Sequence, residues 1–181
     1  AGSVIHSFKD EQDIRLMGGV WKKIPYTWAL MLIGTLALTG FPFLSGYYSK
    51  EAIIEFAYLK NTPIGYYSAS IGILTAILTS FYSWRLLFKA FHGKYFNEKV
   101  SIKNIHECSK IMLVPLILLA FGSIAAGYFF KDLFIGQESA NQFWRNSILF
   151  LNPLISNHMP VWLLLLTPFL VIATIPLSYY C

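Results

Sequence analysis

Apolar residues along this chain run in long blocks, and polar residues gather between them. Three blocks are long enough to cross a bilayer, which takes roughly 20 mostly apolar residues. They are residues 63–88, 111–130 and 160–180. Each begins with a proline or carries one in its first turns, where the missing N–H costs a helix least. Pro168 and Pro176 lie deeper in the last block and are expected to kink it.

A fourth block, residues 27–60, is different. As one helix it would measure about 50 Å at ~1.5 Å per residue, against a hydrocarbon core about 30 Å thick. Its middle reads Gly40-Phe41-Pro42-Phe43-Leu44-Ser45-Gly46. Proline removes a helix hydrogen bond, and the flanking glycines lower helix propensity on both sides. The pattern predicts a helix that breaks near Pro42 and resumes around Tyr48. Broken helices persist at membrane depth only where protein or internal water satisfies the freed backbone groups. The expected fold class is all-α: a polytopic transmembrane helix bundle with one broken helix, in a single transmembrane domain over residues 1–181. Between the last two blocks, residues 131–159 carry Phe134, Phe143, Trp144, Ile148 and Leu151. That segment is expected to form a short amphipathic helix in the interface.

Composition narrows the function. The 181 residues are 56% hydrophobic and only 13% charged, with mean hydropathy +0.54. A soluble domain carries about 25% charged residues, and disorder needs low hydrophobicity. Cys108 and Cys181 match no metal or disulfide spacing. The four histidines have no ligand spacing, and no phosphate loop, nucleophile elbow or dinucleotide fingerprint is present. No metal and no cofactor are expected on this chain. It opens Ala1-Gly2-Ser3 without Met or a basic leader, and is expected to be a piece of something longer.

The net charge of +5 is unevenly placed. Lys9, Arg15, Lys22 and Lys23 precede the broken helix, and Lys89, Lys94, Lys99, Lys103 and Lys110 separate the second and third full blocks. Four crossings put these loops on one side, with Lys60, Lys131 and Arg145 opposite. The positive-inside rule turns the cation-rich side to the cytoplasm or matrix. The charge therefore reports topology and anionic lipid rather than nucleic acid.

Lys50 is the first candidate for chemistry. It follows the break, with apolar residues on both sides. A charge at the bilayer centre costs at least ~2.5 kcal/mol on insertion scales. An ammonium removed from water gives up its proton more readily, as a proton relay requires. A lysine that snorkels outward, or pairs structurally with Glu51 or Glu55, fits the same residues. Ser68, Thr75, Thr79 and Tyr82 fall on one face of the 63–88 helix, as a water-lining stripe or as helix-packing contacts. Gly122, Ala126 and Gly127 give a small-residue packing pattern. Asp10, Glu11, Asp13 and Arg15 form a polar cluster in the first loop, either a solvated turn or a partner contact.

Several runs carry a resemblance. AGSVIHS at 1–7, DEQDIRLMGG at 10–19, LTGFPFLSGYYSKEAIIE at 38–55 and YSWRLLFKAFHGK at 82–94 resemble the antiporter-like membrane subunits of respiratory complex I. These motifs lie in about the first half of the chain; the second half matches mainly by hydropathy. The family has fourteen or more transmembrane helices, two of them broken. The resemblance implies that this chain runs from the end of the eleventh helix to the fifteenth, with 27–60 as the second broken helix. Gly40, Pro42 and Gly46 then mark the break. Lys50 matches the family's lysine beside it, assigned to the outward end of a proton path. The family's central lysine and histidines, its first broken helix with a Glu–Lys pair, and its long lateral helix are not in this sequence. Leu16 departs from the family, which often has Lys after Arg in that run.

The resemblance implies part of the proton-translocating membrane arm of NADH:ubiquinone oxidoreductase. Protons would move outward through buried lysines and water, coupled to quinone reduction. Lys50 would be the relay, with Glu51, Thr75, Thr79 and Tyr82 along or beside the path. NADH, FMN, iron–sulfur clusters and ubiquinone would be bound by other subunits. Implied partners are the neighbouring antiporter-like subunit, other membrane-arm subunits and the bilayer, cardiolipin included. The implied location is the mitochondrial inner membrane, with a bacterial plasma membrane as the alternative. A subunit of a multisubunit sodium/proton antiporter or membrane-bound hydrogenase shares these features. A non-transporting scaffold, with Lys50 in an ion pair, is the reading of another class.

Overall fold

A computed structural model describes residues 2–94, 105–134, 143–145, 147 and 160–180. Lys99, Lys103, Ile148, Leu151, Cys181 and most of the segment 131–159 lie outside the described residues. A short helix, α1 (Gly2–Ser7), is followed by a 3-10 turn at Ile14–Leu16. Then come α2 (Pro25–Thr39), α3 (Ser45–Leu59) and α4 (Pro63–Leu87). The wide turn Phe88–His92 extends α4, and α5 (Lys110–Phe134) and α6 (Val161–Tyr180) complete the fold. No strand occurs among the described residues.

Among the described residues, three helices are long and apolar enough to cross a membrane, at Pro63–His92, Lys110–Phe134 and Val161–Tyr180. The excess length of the 27–60 block is resolved by a break, with α2 and α3 of 15 residues each. Each half is about 22 Å long at ~1.5 Å per residue, too short to cross alone. The second half starts at Ser45, three residues earlier than the sequence suggests. Pro42 ends one helix without delaying the next, because the Leu44 carbonyl already accepts the Tyr47 N–H. α5 also runs past residue 130 to Phe134, so Lys131–Phe134 belong to a spanning helix rather than to an interfacial segment. At its end, Phe134 meets Phe143 edge-on and Trp144 at a tilt, and Phe143 meets Trp144 edge-on, with centroids 5.1–6.0 Å apart.

Packing fixes the direction of each span. A buried cluster at one end joins Val4 and Phe8, Val20 and Ile24, Leu87 and Phe91, and Ile105. The Trp21 N–H reaches the Phe91 carbonyl at 3.4 Å, and Phe88 meets Tyr179 edge-on. The first loop, the end of α4, the approach to α5 and the end of α6 thus share one face of the bundle. At the other end Ile54, Ala69 and Leu163 pack together. Lys22, Lys23, Lys94 and Lys110 gather at the first of these ends. α4 and α6 run parallel, joined midway by Ser80, whose Oγ donates to the Val171 carbonyl at 3.0 Å. Thr174 Oγ1 lies 2.6 Å from Ser80 Oγ. Outward-facing apolar side chains, such as Ile111, Leu118, Phe121 and Phe129 on α5, give the bundle a surface suited to lipid or to further helices.

Of the small-residue pattern on α5, Gly127 is the member in use. A Cβ there would lie 2.6 Å from Ser45 Cα, so the glycine lets α5 press against the start of α3. Gly122 faces open space.

Candidate functional site at the helix break

The last turn of α2 leaves backbone carbonyls without helical partners, as every helix end does. Gly40 adopts φ +81, a left-handed conformation that glycine enters without steric cost. Its N–H then donates to the Ala37 carbonyl at 3.2 Å, and the Phe41 N–H to the Leu36 carbonyl at 3.0 Å. This pair of bonds is a Schellman closure. The next carbonyl, that of Leu38, accepts from Lys50 Nζ at 2.6 Å. Gly46 makes the reach possible. It sits one turn before Lys50 on the same face of α3, and a Cβ there would fall on the Ala37 carbonyl oxygen. The two half-helices thus touch backbone to backbone, and the lysine bridges the gap between them. Phe43, in the break, also has positive φ and is 81% exposed.

The opposite end of α2 carries the opposite charge. Glu107, from the segment before α5, accepts the Tyr26 N–H at 3.0 Å and the Thr27 N–H at 3.2 Å, and binds Thr27 Oγ1. Pro25 at the first position has no N–H to satisfy. A carboxylate at the N-terminus and an ammonium at the C-terminus both complement the helix dipole. Cys108 Sγ lies 3.6 Å from Thr27 Oγ1.

Lys50 is half-buried, with no carboxylate within ion-pair distance among the described residues. Its outer side faces a recess of about 210 Å³, also lined by Ile53, Ile54, Gly72, Thr75, Ala76 and Thr79. The polar stripe on α4 is therefore divided. Thr75 and Thr79 reach the lysine's recess, while each hydroxyl donates to a carbonyl four residues back in its own helix. Ser68 does the same away from the recess. Tyr82 lines a separate, larger cavity between α2, α4 and α5. Glu51 does not line the recess, and its buried Oε1 has no hydrogen-bond partner among the described residues.

The first-loop cluster is largely self-satisfied. Arg15 forms a two-pronged pair with Asp13, at 2.6 Å from Nη2, and its N–H donates to Asp13 Oδ1. The guanidinium holds the Asp13 carboxyl down at about 2, and the carboxylate in turn raises the pKa of Arg15. Glu11 Oε1 accepts the Gln12 and Asp13 N–H groups. Asp10 has positive φ at the turn. The four residues brace one loop rather than surround Lys50.

Glu107 and Ser83 were not singled out by the sequence. Glu107 is 80 residues from the helix it caps, and its only sequence signal is a carboxylate placed just before an apolar block. Ser83 is 5% exposed, and its Oγ has no hydrogen-bond partner among the described residues.

A short half-helix closed by glycine, abutting a second half-helix that returns a lysine to its end, defines an antiporter-like membrane domain. Residues 1–79 hold the break and Lys50, and they match the NADH:quinone oxidoreductase/Mrp antiporter transmembrane family. Over most of its length the chain is similar to proteins named NADH-ubiquinone oxidoreductase chain 5. It is 48% identical over 151 residues to that of Marchantia polymorpha, covering 83% of this chain and 22% of the relative. The relative from Dictyostelium citrinum is 50% identical over 147 residues, covering 81% and 22%. That from Arabidopsis thaliana is 47% identical over 151 residues, covering 83% and 22%. The chain spans about a fifth of the length of these relatives.

Proposed function

We propose that this chain is part of a proton-translocating membrane subunit, in which Lys50 takes up and releases a proton beside the helix break. The contact from Lys50 Nζ to the Leu38 carbonyl carries the reading. A carbonyl only accepts, so both the ammonium and the neutral amine can keep that bond. The lysine can then lose a proton without losing its anchor. A carboxylate partner would lock it in the charged form, and none is within ion-pair distance among the described residues. Thr75 and Thr79 still offer acceptor lone pairs toward the recess, where water would continue the path outward. A change in nearby charge would tip the amine between its two states.

The named relatives support placing this activity in the membrane arm of an NADH:ubiquinone oxidoreductase. In that reading, other subunits bind NADH, FMN, iron–sulfur clusters and ubiquinone. The partners are further membrane-arm subunits, a neighbouring antiporter-like subunit among them, with lipid around the exposed helices. The location is the mitochondrial inner membrane, in keeping with the eukaryotic sources of the relatives.

Proton movement per electron pair, measured in sealed vesicles carrying the assembled complex, tests the role of Lys50. Lys50→Ala should assemble, pass electrons from NADH to quinone and move fewer protons. A full ratio in that variant would leave Lys50 a structural clasp.

A further inference from the structure

Arg85 stands in the last turn of α4. It is exposed, and no carboxylate lies within ion-pair distance of it among the described residues. The face it occupies runs back along the helix through Leu78, Leu74 and Ile71, at helical spacing, and all three are exposed. Ala69 and Ser80 turn the opposite side of α4 to α3 and α6. Lys89 follows Arg85 by one turn and is half-buried. Beyond it His92 is exposed and stacks on Trp21, with centroids 6.1 Å apart. Lys22 Nζ lies over that Trp21 ring, 5.2 Å from its centroid. Tyr179, which meets Phe88 edge-on, is exposed at the same end. Exposed Trp and Tyr rings mark the headgroup level of a bilayer. At ~1.5 Å per residue, Arg85 lies about 10 Å deeper than His92, and Leu74 about 16 Å deeper than Arg85. That second length is close to half of a hydrocarbon core about 30 Å thick. A guanidinium at this depth is costly unless it reaches an anion, and its long stem lets it reach toward the headgroups. Its planar fork fits two phosphate oxygens at once.

We infer that the outer face of α4 is a binding site for an anionic phospholipid. Arg85 and Lys89 hold its phosphate, and an acyl chain lies along Leu78 and Leu74. His92 and Trp21, with Lys22 over the ring, rim the headgroup. The stripe is graded, apolar over the depth of one leaflet and cationic at its end. A soluble anion would match the cations and leave the leucines uncovered. An apolar partner helix would match the leucines and leave two cations unanswered. An amphiphile with an anionic head matches both. The site stands whether or not Lys50 carries protons.

The test places the assembled complex in phosphatidylcholine vesicles doped with a photoreactive lipid, a diazirine on its acyl chain. The probe is phosphatidylglycerol in one sample and phosphatidylcholine, at equal doping, in the other. Adducts are mapped by mass spectrometry of peptides. Phosphatidylglycerol should label Leu74 and Leu78 about fivefold more than phosphatidylcholine, the preference that one surface cation supplies. Leu118, on the exposed face of α5, is the reference and should show no such preference. Arg85→Gln should bring the two lipids to parity at Leu78, and Arg85→Lys should keep part of the difference. Lys89→Gln should lower the preference as well, and it reads the same site if Arg85→Gln fails to assemble. Equal labelling by both lipids in the unsubstituted protein overturns the site, since the face then holds only bulk lipid. Absence of labelling by either lipid also overturns it, because protein then covers the face. So does a preference that persists undiminished in Arg85→Gln, or in Lys89→Gln where only that variant assembles.

Discussion

Lys50 donates to the carbonyl of Leu38, twelve residues earlier in the chain, across the gap between two half-helices. The contact joins a side chain of α3 to the backbone end of α2. Replacing that side chain therefore changes a helix terminus as well as a charge. Lys50→Arg separates the two effects. Arginine restores a cation at the end of α2 but stays protonated at any working pH. Lys50→Arg should therefore assemble better than Lys50→Ala and still move fewer protons per electron pair than the unsubstituted protein. Pumping at the full ratio by Lys50→Arg would show that only charge at the helix end matters.

Gly46→Ala should be costly. A methyl group there meets the Ala37 carbonyl, and backbone on both sides limits relaxation. Overpacking of this kind costs about 1–3 kcal/mol or more. Gly34→Ala, on α2 with nothing within 4 Å of a Cβ, is the matched control. The fraction of complex that assembles, followed by native electrophoresis on heating, should fall for Gly46→Ala and not for Gly34→Ala. Equal behaviour would mean that α3 does not approach α2 this closely.

Between α4 and α6, Thr174→Val removes the hydroxyl beside Ser80 while keeping the shape. Hydrogen bonds between membrane helices are modest, averaging about 0.6 kcal/mol. The variant should lose on the order of 1 kcal/mol in a reversible detergent unfolding titration, with proton pumping unaltered. A loss several times larger would mean that this pair does more than join two helices.

The first loop should respond to acid. In the folded loop Asp13 titrates at about 2, below its ordinary 3.8, chiefly because the Arg15 side chain bonds its carboxylate. A depressed folded-state value stabilises the loop above the unfolded value, about 3.9. That contribution is lost as pH falls through about 2. Hydrogen exchange at the Arg15 amide, corrected for its intrinsic pH dependence, should stay slow from neutral pH to about 4 and quicken below. Asp13→Asn at neutral pH should reproduce the acid behaviour. Protection unchanged in that variant would assign the loop's order to Glu11 instead.

Much of the architecture was written locally. Gly40 and Pro42 announce the break because a left-handed closure and a missing N–H are properties of single residues. Spans 63–88, 111–130 and 160–180 announce themselves by length and apolarity, and all three are helices close to those bounds. Cation placement gave the side on which loops meet, and the packing of Trp21 on the end of α4 agrees. The α4 stripe shows the limit of such reading. Helical periodicity puts Thr75, Thr79 and Tyr82 on one face, yet the first two share a recess with α3 and the third a cavity with α2. One face of a long helix can serve two cavities, and the division depends on where the neighbouring helix breaks. Glu107 was illegible for a related reason, since capping from 80 residues away leaves no spacing to recognise.

That distance also bears on how the protein is made. At 15 residues α2 is too short to settle across a membrane alone, and its C-terminal carbonyls find Lys50 only after α3 has formed. Its first N–H groups find Glu107 only after residues 26 to 106 have been synthesised. α2 therefore emerges from the ribosome as an unfinished insertion intermediate. Its stable seating is postponed until α4 has crossed and the chain has turned back. A substitution at position 107, in a loop outside the membrane, should appear as a fault in biogenesis of the second helix.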